Sequence, residues 1–126
     1  MSELSKPTFH SMATNVLRQF VETLDNASLE ITANGLLEKA TISCKTGTIV
    51  FFYAPPEFHV EIIVRMNDGK EYDLAALMSI PSVNDWVKGH QLQPGGDANR
   101  ICAELEWFVA LLNQLRKVDD FKSLLA

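Results

Sequence analysis

Between residues 58 and 66 the chain alternates with the period of a strand, Ile63 being the one apolar residue on the polar side. Phe58, Val60, Ile62, Val64 and Met66 fall on one side of an extended backbone; His59, Glu61, Ile63 and Arg65 fall on the other. A period of two belongs to a strand, because successive side chains of a strand leave opposite faces. Asn67-Asp68-Gly69-Lys70 follows as a hairpin turn whose Asp-Gly pair tolerates positive φ. Upstream, Ala40, Ile42 and Cys44 alternate with Thr41, Ser43 and Lys45. Thr46-Gly47 marks a tight turn, and Thr48 to Tyr53 is rich in the branched and aromatic residues that suit a pleated surface. Pro55-Pro56 closes that strand, since proline donates nothing to a ladder. Glu71 to Leu74 is a candidate short fourth strand, and Leu29 to Leu37 reads either as a short strand or as loop. Connections this short exclude parallel crossovers, so the expected sheet is an antiparallel meander of three or four strands.

On either side of this sheet the period changes to that of a helix. From about Thr8 to Leu24, Phe9, Met12, Val16, Phe20 and Leu24 recur every three or four residues, with Leu17 and Val21 widening the stripe. Thr8 behind Pro7 is a candidate start, and Asp25-Asn26 a candidate stop. Beyond the sheet, Ala75 to Met78 suggests a helical turn before Pro81, and Ser82 is placed to cap another through Val87. Pro94-Gly95-Gly96 is a break, after which Asp97 is expected to cap the second long helix. On that helix Ile101, Leu105, Phe108, Leu112 and Leu115 form one stripe, flanked by Cys102 and Val109 on one side and Trp107 and Leu111 on the other. The arc is wider than the roughly 100° stripe of an ordinary surface helix, so cover is required on two sides. Asp119 to Ala126 reads as a short terminal helix. The expected fold class is α+β, one domain over residues 1–126, with an N-terminal helix, the antiparallel sheet, and C-terminal helices packed on one face.

Charge limits the partners. Eleven basic against 16 acidic side chains leave a formal charge of -5. Nucleic-acid binding draws on a surplus of Lys and Arg, so nucleic acid is not an expected ligand. The same field repels an anionic membrane and attracts a basic protein. No apolar run approaches the ~18 residues that read as a membrane span, and residues 1–12 hold no apolar leader core. A cytoplasmic location is therefore expected.

Chemistry-bearing patterns are few. His59 and Glu61 form His-x-Glu, a fragment of the zinc-deaminase signature, but no Pro-Cys-x-x-Cys follows. His10 and His90 stand outside any metal-spaced cluster, and no metal or cofactor is expected. Cys44 faces the core side of its strand and Cys102 borders a helical stripe, so both read as small hydrophobes. Pro94-Gly95-Gly96-Asp97 is not a phosphate loop, because it lacks the glycine and lysine pattern and Asp97 opposes an anion. Glu104 and Glu106 diverge around a helix and form no dyad. No enzymatic activity is expected from such a set.

The segment Cys102-Ala103-Glu104-Leu105-Glu106-Trp107-Phe108-Val109-Ala110-Leu111-Leu112, placed after a short sheet, resembles the bacterial immunity proteins of contact-dependent or polymorphic toxin systems. The resemblance covers size, charge and layout. It implies a small cytosolic protein that blocks the active site of a cognate toxin domain, and it transfers no functional residue. From charge and exposure pattern alone, the candidate contacts for a basic partner are Glu57, Glu61, Glu71 and Asp73 around the sheet, Asp85 and Trp86 in the connecting segment, and Trp107 on the last long helix. The alternatives are a dimeric secretion chaperone, with the wide apolar arc as its seam, and a small-ligand domain or enzyme with a pocket between sheet and helix. Either a monomer or a homodimer fits the sequence.

Overall fold

A computed structural model describes residues 9–34, 37–53, 60–91 and 99–125. The expected features at Thr8, Pro55-Pro56, Phe58, His59 and Pro94 to Asp97 lie outside these residues. The chain begins with α1 (Phe9–Val21). Phe9, Ala13, Leu17 and Phe20 form its buried stripe, while Met12 and Val16 are half-buried, so the apolar face is turned slightly from the one the larger residues predict. The helix closes earlier than Asp25-Asn26. The Thr23 hydroxyl donates to the Phe20 carbonyl, and the Leu24 amide to that of Val21. Asn26 then takes a left-handed turn with φ 60°, a conformation asparagine tolerates.

Five strands follow in one antiparallel sheet ordered as in the sequence: β1 (Ser28–Asn34), β2 (Leu37–Cys44), β3 (Gly47–Tyr53), β4 (Val60–Met66) and β5 (Glu71–Asp73). The meander is as expected, but with five strands rather than three or four. The added one is β1. It is an edge strand whose alternate residues Leu29 and Ile31 are only half-buried, which weakens its period in the sequence. One sheet face carries Ala40, Ile42, Ile49, Phe51, Val60, Ile62 and Val64, all in the core. The opposite face carries Lys39, Thr41, Thr48, Glu61, Arg65 and Glu71 around half-buried Phe52 and Ile63.

Two close approaches fix the lower end of the sheet. Asn67 donates its amide to the Thr46 carbonyl and its side-chain nitrogen to that of Lys45, so the β4–β5 hairpin holds the β2–β3 turn. At Gly47 a Cβ would lie 2.3 Å from the Arg65 carbonyl oxygen, which leaves glycine as the residue that fits.

Helices α2 (Leu74–Met78) and α3 (Pro81–Gly89) cross from β5 toward the last long helix, α4 (Asn99–Leu115). Asp73 caps α2 by accepting from the Ala76 amide at 2.9 Å. The expected cap at Ser82 is not used: Pro81 already occupies the first turn and Ile80 is the cap residue. Proline presets φ and needs no donor, so α3 begins two residues earlier than a Ser82 cap would start it. The arc of α4 is covered within the chain. Phe108 meets Phe51 of the sheet edge to face at 5.8 Å, Trp107 meets Trp86 of α3 at 5.7 Å, and α1 packs along the helix. Leu111 is fully buried and so does not flank an open surface. The terminal segment is a 3₁₀ turn at Asp119–Phe121 followed by further turns, where an α-helix was expected. Val118, extended at φ -94° and ψ 127°, interrupts helical continuation, and Phe121, Leu124 and Leu125 still reach the core.

Candidate functional site

The sheet changes character halfway along β4. β5 pairs only with Ile63, Val64 and Arg65, so Val60 to Ile62 extend beyond its last residue. Even-numbered residues of β4 direct their backbone groups away from β3: the Met66 amide donates to Lys70 at 2.8 Å, and the Val60 amide to Glu104 Oε1 of α4 at 2.9 Å. Glu104 is 7% exposed and is the buried charged residue among those described. Its carboxylate stands where the carbonyl of a further strand would otherwise accept. An unmet buried amide costs about 1–3 kcal/mol, so this contact has an energetic purpose at the strand end.

Around this strand end lies a groove of about 830 Å³. Its apolar lining includes Phe52, Ile63, Leu74, Ala75, Trp107 and Phe108, and its acidic groups are Glu61, Asp73 and Glu104. Glu61 and Asp73 are exposed and occupy the outer sheet face, whereas Trp107 approaches from the helical side. The arrangement is a half-buried apolar floor with an acidic rim, open to solvent.

Three of the expected contact residues therefore converge on one groove: Glu61, Asp73 and Trp107. Trp86 joins them indirectly. Its ring stacks on His90 at 4.7 Å and meets Trp107, while the Trp107 indole N–H donates to the His90 carbonyl. Trp107 also meets Phe108 at 5.3 Å, so aromatic contacts run from exposed His90 to core Phe51. Glu71 sits beside the groove but is partnered, with Arg65 Nε 2.9 Å from its carboxylate. Asp85 is exposed on α3 and does not line the groove. Glu57 lies outside the described residues. Sequence reasoning missed Glu104, Ile63 and His90 as parts of this site. The signal for Glu104 was present: it lies three residues after Ile101 and four before Phe108, inside the buried stripe.

A second groove, of about 550 Å³, runs between α1 and α4. Val16, Phe20 and Val109 line its floor, with Asn15, Gln19, Glu106 and Arg116 among its polar groups. Cys102 borders it, and its thiol pKa is raised by burial and by the neighbouring Glu106 carboxylate, which also accepts its hydrogen bond. Burial pushes the Cys44 thiol up to about 11. Neither environment activates a nucleophile, which needs a stabilised thiolate. Among the described residues no group of three His, Cys, Asp or Glu side chains is placed to hold a metal ion, and no helix is long and apolar enough to cross a membrane. Comparison with protein families, curated proteins and solved structures yields no match to this chain.

Proposed function

We propose that this chain is a protein-binding inhibitor of the immunity-protein kind, which covers a basic toxin domain with the groove at the open end of β4. The observation that supports this reading is the convergence of Glu61, Asp73 and Trp107 on a single groove with an apolar floor. An apolar centre with an aromatic anchor supplies the tight contact, and a charged rim steers the encounter. The net charge of -5 acts in the same direction as that rim. Glu61 and Asp73 line the groove, whereas Glu71 beside it is engaged by Arg65. The chaperone alternative relied on the wide arc of α4 as a dimer seam, and that arc is spent on α1, α3 and the sheet.

The test is co-purification with the product encoded next to it, followed by stopped-flow association over a salt series. Glu61→Lys combined with Asp73→Ser removes the acidic rim, while serine retains a capping oxygen for α2. Association is expected to slow about tenfold or more at low salt, with a flatter salt dependence. Unchanged association kinetics in the double variant would remove this groove as the contact surface.

A further inference from the structure

Strand β1 ends the sheet on one side, and among the described residues that side is open. Among the described residues β1 has one strand neighbour, β2, and the register from Ser28↔Ser43 to Asn34↔Leu37 runs without a bulge. The direction of its outer backbone groups follows from the other end of the sheet. Val60 and Met66 donate away from β3, so the odd residues of β4 bond β3. Antiparallel ladders alternate residue by residue, and carrying that alternation through the three registers places the even residues of β1 on β2. Leu29, Ile31 and Ala33 therefore aim their N–H and C=O groups outward, and no described residue takes them. Edges left exposed are commonly blocked by lysine, proline, a bulge or an inward charge. The strand Ser-Leu-Glu-Ile-Thr-Ala-Asn contains no lysine or proline, and its one charge, Glu30, points to the outer face.

We propose that this edge pairs with the same edge of a second copy, antiparallel about a two-fold axis at Ile31, joining the two sheets into one. Two constraints select this occupant and this register. A two-fold axis normal to the sheet keeps both helical layers on one side, so paired residues must share a face and hence parity. Centring the axis on Glu30 would oppose two carboxylates, which is unfavourable across strands. Centring it on Ile31 overlaps the whole strand and sets Glu30 against the partner's Thr32, and Leu29 against the partner's Ala33. Like charges are then kept apart, and the half-buried Leu29 and Ile31 gain apolar cover from the copy. The edge is thus complementary to itself in backbone, charge and face. This inference stands apart from the toxin-inhibitor reading and uses the opposite end of the sheet.

Sedimentation velocity over a micromolar to millimolar series tests it. The unmodified chain is expected to show a concentration-dependent monomer–dimer equilibrium. Ala33→Pro removes an outward N–H, and Thr32→Glu brings like charges together twice across the axis. Within the chain, residue 32 pairs with Lys39, so that second change leaves the fold unopposed. Each variant should weaken dimerisation roughly tenfold, while Glu30→Lys with Thr32→Glu restores it by setting opposite charges across the axis. Circular dichroism checks folding, and if Ala33→Pro unfolds the chain, the charge pair decides. A strictly monomeric chain across the series overturns the proposal. So does a dimer that Thr32→Glu leaves intact, or one that the charge swap fails to restore.

Discussion

The carboxylate of Glu104 accepts the backbone amide of Val60 at 2.9 Å, joining the middle of a helix to the end of a strand 44 residues away in the chain. β5 stops short of Val60, so a helix side chain completes what the sheet leaves open. The acid is therefore part of the fold at the same place where the groove forms.

Replacing Glu104 separates hydrogen bonding from charge. Glu104→Gln keeps a carbonyl acceptor of the same reach and is expected to stay within about 1 kcal/mol of the parent in urea unfolding. Glu104→Leu keeps the volume but leaves the Val60 amide unmet, and is expected to cost about 1–3 kcal/mol. Amide exchange at Val60 should quicken in the leucine variant alone. Equal stability and exchange in both variants would show that the contact contributes nothing.

Arg116 ties together three segments that the sequence separates. Its Nε donates to the Leu125 carbonyl at 3.1 Å, one Nη to the Thr23 carbonyl at 2.9 Å, and the other to Asn113 Oδ1 at 3.1 Å. Its guanidinium also lies 5.5 Å from the centre of the Phe20 ring. Lysine cannot reproduce a planar fork with this reach. Arg116→Lys is expected to cost about 1–2 kcal/mol, read as a fall in thermal midpoint, and Arg116→Met at least as much. A lysine variant as stable as the parent would mean that solvent replaces all three bonds at no cost.

The sheet is legible in the sequence where burial falls on one face. Ile62 and Val64 against Glu61 and Arg65 announce β4, and Asp68-Gly69 announces its turn, with Gly69 at φ 97°. β1 is harder to read because an edge strand covered on one face by a helix buries little, so Leu29 and Ile31 stand out weakly from Glu30 and Thr32. The site is less legible than the fold. Glu61, Asp73 and Trp107 were identifiable as acidic or aromatic surface, but their convergence depends on β5 ending at Asp73, which no local pattern announces. Glu104 reads as a solvated acid because acids on helices usually are. Its hydrogen bond to a strand end accounts for a carboxylate within the apolar stripe.

The two thiols should report on the core with different speeds. Burial raises Cys44 from 9.0 to about 11, so at about pH 8 almost none of it is thiolate and disulfide reagents should modify this half-buried thiol slowly. Cys102 borders the groove between α1 and α4 and should react first. Its pKa is raised by burial, then by the charge of Glu106 and by the hydrogen bond to it, so Glu106→Gln should quicken its modification. For stability, the sign follows from which state loses its proton first. The unfolded Cys44 thiol ionises near 9.0 while the folded one holds its proton to about 11, so the folded state binds more protons over that window. Stability contributed by Cys44 is complete below 9.0 and declines as pH rises toward 11. The denaturation midpoint should therefore fall across this interval, and less steeply in Cys44→Ala, which isolates the contribution of this thiol. Identical slopes in parent and variant would place the Cys44 thiol in a wetter environment than its strand position indicates.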